Sequence, residues 1–143
     1  IGLGSGICGL IAARDALGRS TEIVGVVAET APAYALSFAR GAVVTTETAD
    51  TFVDGVACRV PVPAAVATIV RGAARVVRIA DDEVREAMRV LFTDTHNVAE
   101  PAGAIALAGL LRERPAMRGK RVAAIVTGGN VDRDVYARVL APA

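Results

Sequence analysis

Ile1-Gly2-Leu3-Gly4-Ser5-Gly6-Ile7-Cys8-Gly9 runs directly into an apolar, alanine-rich segment over residues 10–17. Glycines at these spacings leave few Cβ atoms in the way, so the backbone is free to adopt φ > 0 and to bring several N–H groups round one small object. The loop holds no Lys or Arg. Any negative charge bound there must be met by amide dipoles and by the positive end of the helix expected over residues 7–17. Phosphate is the expected guest. The plainer alternative is a tight turn into a helix, whose glycines serve only close packing.

A second spelling lies in the same residues. Gly4-x-Gly6-x-x-Gly9 is followed by an apolar run over residues 23–28 and by Glu29, where a ribose-binding carboxylate sits in a dinucleotide site. That fingerprint requires a strand immediately ahead of the first glycine, and none is legible before Gly2.

Composition narrows the classes. With 143 residues, 53% hydrophobic and 22% charged, the chain reads as one globular domain able to bury a core. Its 16 basic and 15 acidic residues are interspersed, without a basic block, and only three Phe and two Tyr are present. These features argue against nucleic acid as a partner. The longest apolar run, residues 102–111, is too short to span a bilayer, so no membrane association is expected and the cytoplasm is the expected compartment. Cys8 and Cys58 have no metal-ligand spacing and read as small buried residues of a reducing compartment. Lys120 is the sole lysine.

Hydrophobic periodicity places strands at residues 22–28, 42–45, 75–79 and 121–126. Helices are predicted at residues 32–39, 64–71, 81–92, 101–112 and 131–140. Residues 46–54 read as a threonine-rich loop closed by the Asp54-Gly55 turn, and residues 114–120 as a loop. Val84, Met88, Leu91 and Phe92 share one helical face, and Asp81, Asp82 and Glu83 supply negative charge to that helix's N-terminus. The alternation predicts an α/β fold, a mainly parallel sheet with flanking helices. Ligands in such sheets sit beyond the carboxyl ends of the strands, which singles out the opening loop and residues 127–130.

The combination is specific. The loop Gly2-Leu3-Gly4-Ser5-Gly6, then Thr51-Phe52-Val53-Asp54-Gly55, then Glu100-Pro101-Ala102-Gly103-Ala104, then Thr127-Gly128-Gly129-Asn130-Val131-Asp132 resembles the threonine/serine dehydratases. These are pyridoxal-phosphate enzymes of the tryptophan-synthase β fold, fold type II. The resemblance covers essentially all of residues 1–143, as the C-terminal portion of that catalytic domain and with no separate regulatory domain, so feedback control is not expected.

The resemblance implies a role for each matching position. Gly2, Leu3, Gly4, Ser5 and Gly6 stand where the family's tetraglycine loop holds the pyridoxal 5'-phosphate phosphate, with Leu3 and Ser5 departing from glycine. Thr127 matches the Ser or Thr that bonds the pyridine nitrogen, Gly55 the glycine bordering the ring, and Glu100 the acid that opens the helix nearby. Asn130 is expected to orient the Thr127 loop. An alcohol partner at the ring leaves a weaker electron sink than an aspartate, which favours loss of a β-hydroxyl over racemisation. The implied reaction converts a β-hydroxy amino acid of the threonine or serine type to a 2-oxo acid and ammonia.

In the family the Schiff-base lysine lies upstream of the glycine loop, and Lys120 precedes a strand at its opposite end. No catalytic residue is therefore expected in this stretch, and the chain alone is expected to be inactive. Some relatives carry a divalent cation, for which Glu29 and the Ala33 carbonyl match two ligands while Ala35 stands in place of a third, acidic one. A strand-end carboxylate is the preferred reading of Glu29. His96 is read as a loop or helix-start residue. By analogy the full-length protein is expected to be a homodimer acting on a small amino-acid substrate. The alternatives are a dinucleotide-binding domain using Gly4, Gly6, Gly9 and Glu29, and a non-catalytic phosphate-ligand-binding subunit.

Overall fold

The structure, a computed structural model, describes residues 1–141. It divides into two units, one of Ile1–Thr51 and Val56–Arg78, the other of Phe52–Gly55 and Ile79 onward. In the first, helices flank a small parallel sheet, which bears out the α/β fold class.

The first unit contains α1 (Ser5–Ala16), β1 (Val24–Ala28), α2 (Ala33–Arg40), α3 (Pro63–Gly72) and β2 (Arg75–Ile79), with β1 paired to β2. Val27 and Ala28 of β1 are buried, as a covered strand rich in Val requires. Ile7 and Ile11 lie one turn apart on α1 and face α3, where Val66 and Ile69 complete the same core with Tyr34, Ala35 and Cys58. Ile11 is fully buried, and each such side chain contributes about 1.5–3 kcal/mol through removal from water. Ile11→Ala would cost about 2–5 kcal/mol and loosen α1 from α3. α3 starts where Pro63 presets φ, behind the extended N-cap Val62.

A 3₁₀ turn covers Asp54–Val56, and the second unit contains the helices α4 (Asp81–Thr95), α5 (Pro101–Arg112), α6 (Arg114–Met117) and α7 (Arg133–Leu140). α4 buries Val84, Ala87, Met88 and Leu91 and packs against α5 and α7. α5 buries Ile105 together with Gly103, Ala104, Ala108 and Gly109, small residues that let it approach closely. Glu83 does more than start a helix. Its carboxylate accepts the Ala80 N–H at 3.0 Å and pairs with Arg112 of α5 through two N–H donors, at 2.9 and 2.5 Å.

Several expectations need correction. Residues 42–45 form no strand, because the Val44 N–H goes to the Ser37 hydroxyl at 2.9 Å and the Ala42 N–H to the Ser37 carbonyl at 3.2 Å instead of to a ladder. Residues 121–126 form none either. Val122, Ile125 and Val126 are exposed, and no strand lies beside them among the described residues, so their β propensity has no neighbour to act on. The stretch read as a loop from residue 114 begins with the one-turn helix α6, started by Glu113 and Pro115. Phe92 leaves the buried face: it is exposed, and its ring meets Tyr136 edge-on with centroids 5.9 Å apart. His96, read as a loop or helix-start residue, lies just past α4 as its C-cap, in the left-handed conformation at φ 55°.

Candidate functional site

The glycine loop of the first unit closes onto α1 through Gly4, its N-cap, in the left-handed region at φ 95°. A Cβ there would lie 2.7 Å from Ala65 Cβ and 3.3 Å from Tyr34 Oη, so only glycine fits. The Cys8 N–H donates to the Gly4 carbonyl at 3.0 Å, the first bond of the helix. No side chain caps α1, and Ser5 and Gly6 are exposed, so the first-turn N–H groups are available to an anion. Leu3 projects outward at 67% exposure, while its carbonyl accepts from the Tyr34 hydroxyl at 2.7 Å. Gly2 is half-buried, and the Ile1 nitrogen donates to the Val26 carbonyl of β1, which sets the path of the chain into the loop.

The second unit gathers Glu100, Thr127 and Asn130. Glu100 is the N-cap of α5; its N–H donates to the Gly128 carbonyl at 3.1 Å, and its carboxylate accepts the Asn130 N–H at 3.1 Å. The segment 127–130 is thereby held against the start of α5. Gly128 and Gly103 touch backbone to backbone at this crossing, and a Cβ on Gly103 would run into the Gly128 carbonyl. The exposed Thr127 hydroxyl donates to the Ala102 carbonyl at 3.4 Å, a long bond that a better acceptor would displace. Gly55 faces the same turn of α5, where a Cβ would lie 2.6 Å from Ala102 Cβ.

Two supports escaped the sequence reading. Tyr34 is buried beneath the glycine loop, 31 residues along the chain from Leu3. Asp81 accepts the Phe52 N–H at 3.2 Å, and Arg85 stacks over the Phe52 ring at 4.2 Å, so the segment carrying Gly55 is fastened to the first turn of α4. Asp81 and Glu83 were legible only as helix-starting charges, and an isolated buried tyrosine carries no sequence signal at all. Asn130 is exposed, and its backbone N–H is held by the Glu100 carboxylate.

Lys120 is exposed. Glu29 is exposed and Ala33 buried, and no group of three His, Cys, Asp or Glu side chains suited to a metal occurs among the described residues. Cys58 is buried, but Cys8 is only half-buried. A Cβ at Gly6 or Gly9 would meet nothing within 4 Å, so neither glycine serves the close helix-to-strand approach of a dinucleotide fingerprint. None of the described helices is long and apolar enough to cross a membrane.

Each donor set, taken within its own unit, suits one part of pyridoxal phosphate: uncapped amides at a helix start suit a phosphate, and an exposed, loosely held hydroxyl suits a pyridine nitrogen. The family described as "Pyridoxal-phosphate dependent enzyme" matches residues 1–128. The chain is 33% identical over 142 residues to an L-threo-3-hydroxyaspartate ammonia-lyase from Pseudomonas, covering 98% of this chain and 44% of that protein. It is 28% identical over 140 residues to the L-threonine ammonia-lyase of Thermotoga maritima, covering 98% of this chain and 35% of the relative. The solved structure of processed threonine deaminase isoform 2 from Solanum lycopersicum superposes with a TM-score of 0.91 at 28% identity, covering 97% of this chain and 41% of that one. The chain thus spans less than half the length of these relatives. Over the stretch that carries its glycine loop and its Glu100–Thr127 cluster, the chain belongs to the pyridoxal-phosphate dependent enzymes.

Proposed function

We propose that the protein carrying this chain dehydrates and deaminates a β-hydroxy amino acid. The α-proton and the β-hydroxyl leave as water, and the resulting enamine takes up water to give a 2-oxo acid and ammonia. The observation that carries this reading is the held segment in which Glu100 binds the Asn130 N–H and Thr127 offers an exposed hydroxyl. When bound, pyridoxal phosphate draws electrons from the amino acid's α-carbon. Thr127 is assigned to its ring nitrogen; as an alcohol it shares a proton without delivering a full positive charge, which limits electron withdrawal and favours β-elimination over racemisation. The amides of Gly2, Leu3, Gly4, Ser5 and Gly6 are assigned to the phosphate, and Gly55 to the border of the ring. Glu100 and Asn130 orient the Thr127 segment.

Threonine, serine and threo-3-hydroxyaspartate are the substrate candidates, with a cytoplasmic homodimer as the working form. The test is an assay for 2-oxo acid and ammonia with these three substrates, on the protein expressed from its full reading frame. Release from at least one, and a changed cofactor absorption spectrum in Thr127→Asp, support the proposal. Absence of 2-oxo acid from all three, or a spectrum untouched by Thr127→Asp, overturns it.

A further inference from the structure

Tyr34 is the largest fully buried side chain, at 1% exposure, and its hydroxyl is engaged in both directions. It donates to the Leu3 carbonyl at 2.7 Å and accepts from the N–H of Val62, the N-cap of α3, at 3.1 Å. The glycine loop is therefore tied through one oxygen to the start of a neighbouring helix. The Leu3 carbonyl belongs to the same planar peptide as the Gly4 N–H, and across a trans peptide the two point in opposite directions. Holding the carbonyl against the buried hydroxyl turns the Gly4 N–H to the other side of the loop. Gly4 permits this at φ 95°, with its missing Cβ leaving the space that Ala65 and Tyr34 fill.

We infer that Tyr34 is a positioning residue for phosphate recognition: by drawing the Leu3 carbonyl inward, it aims the Gly4 N–H at a phosphate bound by the glycine loop. The inference rests on the assignment of that loop to the phosphate of pyridoxal phosphate. Phenylalanine at this position keeps the ring and removes only the oxygen, so the Leu3–Gly4 peptide is released to rotate.

The experiment measures, by fluorescence titration of the full-length apoprotein, the affinity for pyridoxal phosphate and for pyridoxal, which lacks the phosphate. The ratio of the two is the readout. In Tyr34→Phe it is expected to fall about tenfold, the worth of one well-placed hydrogen bond, with pyridoxal affinity held. An unchanged ratio, whether both affinities stay or both weaken alike, overturns the inference and leaves Tyr34 as packing. If the wild-type protein itself fails to distinguish the two ligands, the phosphate assignment of the loop falls, and the inference with it. Should Tyr34→Phe not fold, the Gly4 amide resonance of the wild-type full-length apoprotein is followed instead: a shift on adding pyridoxal phosphate that pyridoxal does not produce supports the inference, and a Gly4 resonance that neither ligand moves overturns it.

Discussion

The Glu100 carboxylate accepts the Asn130 backbone N–H at 3.1 Å while the Glu100 N–H donates to the Gly128 carbonyl at 3.1 Å. One residue thus holds a segment 30 positions away at two points, from the N-cap of α5. Its helix-start position puts the carboxylate beside the unbonded amides of the first turn, where negative charge is favoured. Glu100→Ala removes the side-chain tether and is expected to lower stability by about 1–3 kcal/mol, with Glu100→Gln losing less because it keeps an acceptor oxygen. Urea denaturation of the two variants gives the comparison.

Where α5 crosses the segment 127–130, the two glycines are not equivalent. A Cβ on Gly103 meets the Gly128 backbone, whereas a Cβ on Gly128 meets the Glu100 carboxylate at 2.6 Å. Backbone cannot step aside as a side chain can. Gly103→Ala is therefore expected to cost about 2–3 kcal/mol and Gly128→Ala about half as much, read from thermal midpoints.

Gly4→Val places a branched side chain at φ 95° and 2.7 Å from Ala65 Cβ. Strain and clash together are expected to destabilise the first unit by at least about 2 kcal/mol. Binding of pyridoxal phosphate is expected to vanish with the loop geometry. Equilibrium dialysis against the cofactor gives the answer.

The Tyr136 hydroxyl is buried with no hydrogen-bond partner among the described residues, although its ring packs edge-on to Phe92. Removing the oxygen keeps the aromatic contact and ends the burial of an unpaired polar atom. Tyr136→Phe is expected to raise stability by about 1 kcal/mol, visible as a higher denaturation midpoint.

Burial pushes the Tyr34 phenol above its ordinary 10.0; the Val62 N–H pulls it partly back, and the nearby thiols of Cys58 and Cys8 add to the rise. Burial alone raises Tyr136. A pKa higher in the folded than in the unfolded protein means the unfolded chain ionises first as pH climbs. The stability these phenols contribute is whole below pH 10, the unfolded value, and is lost as pH rises through the folded values. Denaturation midpoints are expected to stay flat on this account below about pH 9 and to fall above about pH 10, with a shallower fall in Tyr136→Phe.

Helix positions were legible because each rests on local signals. Pro101 opened α5, Asp81 to Glu83 opened α4, and apolar spacing along α4 named Val84, Met88 and Leu91 as core. β2 was legible for the same reason, as a short Val-rich run between turn signals. Phe92 was misread because its position on the helix matched the buried face, while its ring instead turned to Tyr136. The stretches 42–45 and 121–126 show the other limit. A strand exists only where another strand accepts its hydrogen bonds, and here the Ser37 hydroxyl takes the Val44 N–H.

The sequence by itself determined the α/β class, the glycine loop and the four motifs that mark the family, because each depends on residues adjacent in the chain. Only the tertiary structure decided how those motifs are held. Tyr34 reaches Leu3, Asp81 reaches Phe52 and Glu100 reaches Asn130 across separations of 31, 29 and 30 residues. Hydrogen bonds of that span are fixed by packing, since the chain between their ends must first be folded before donor and acceptor meet.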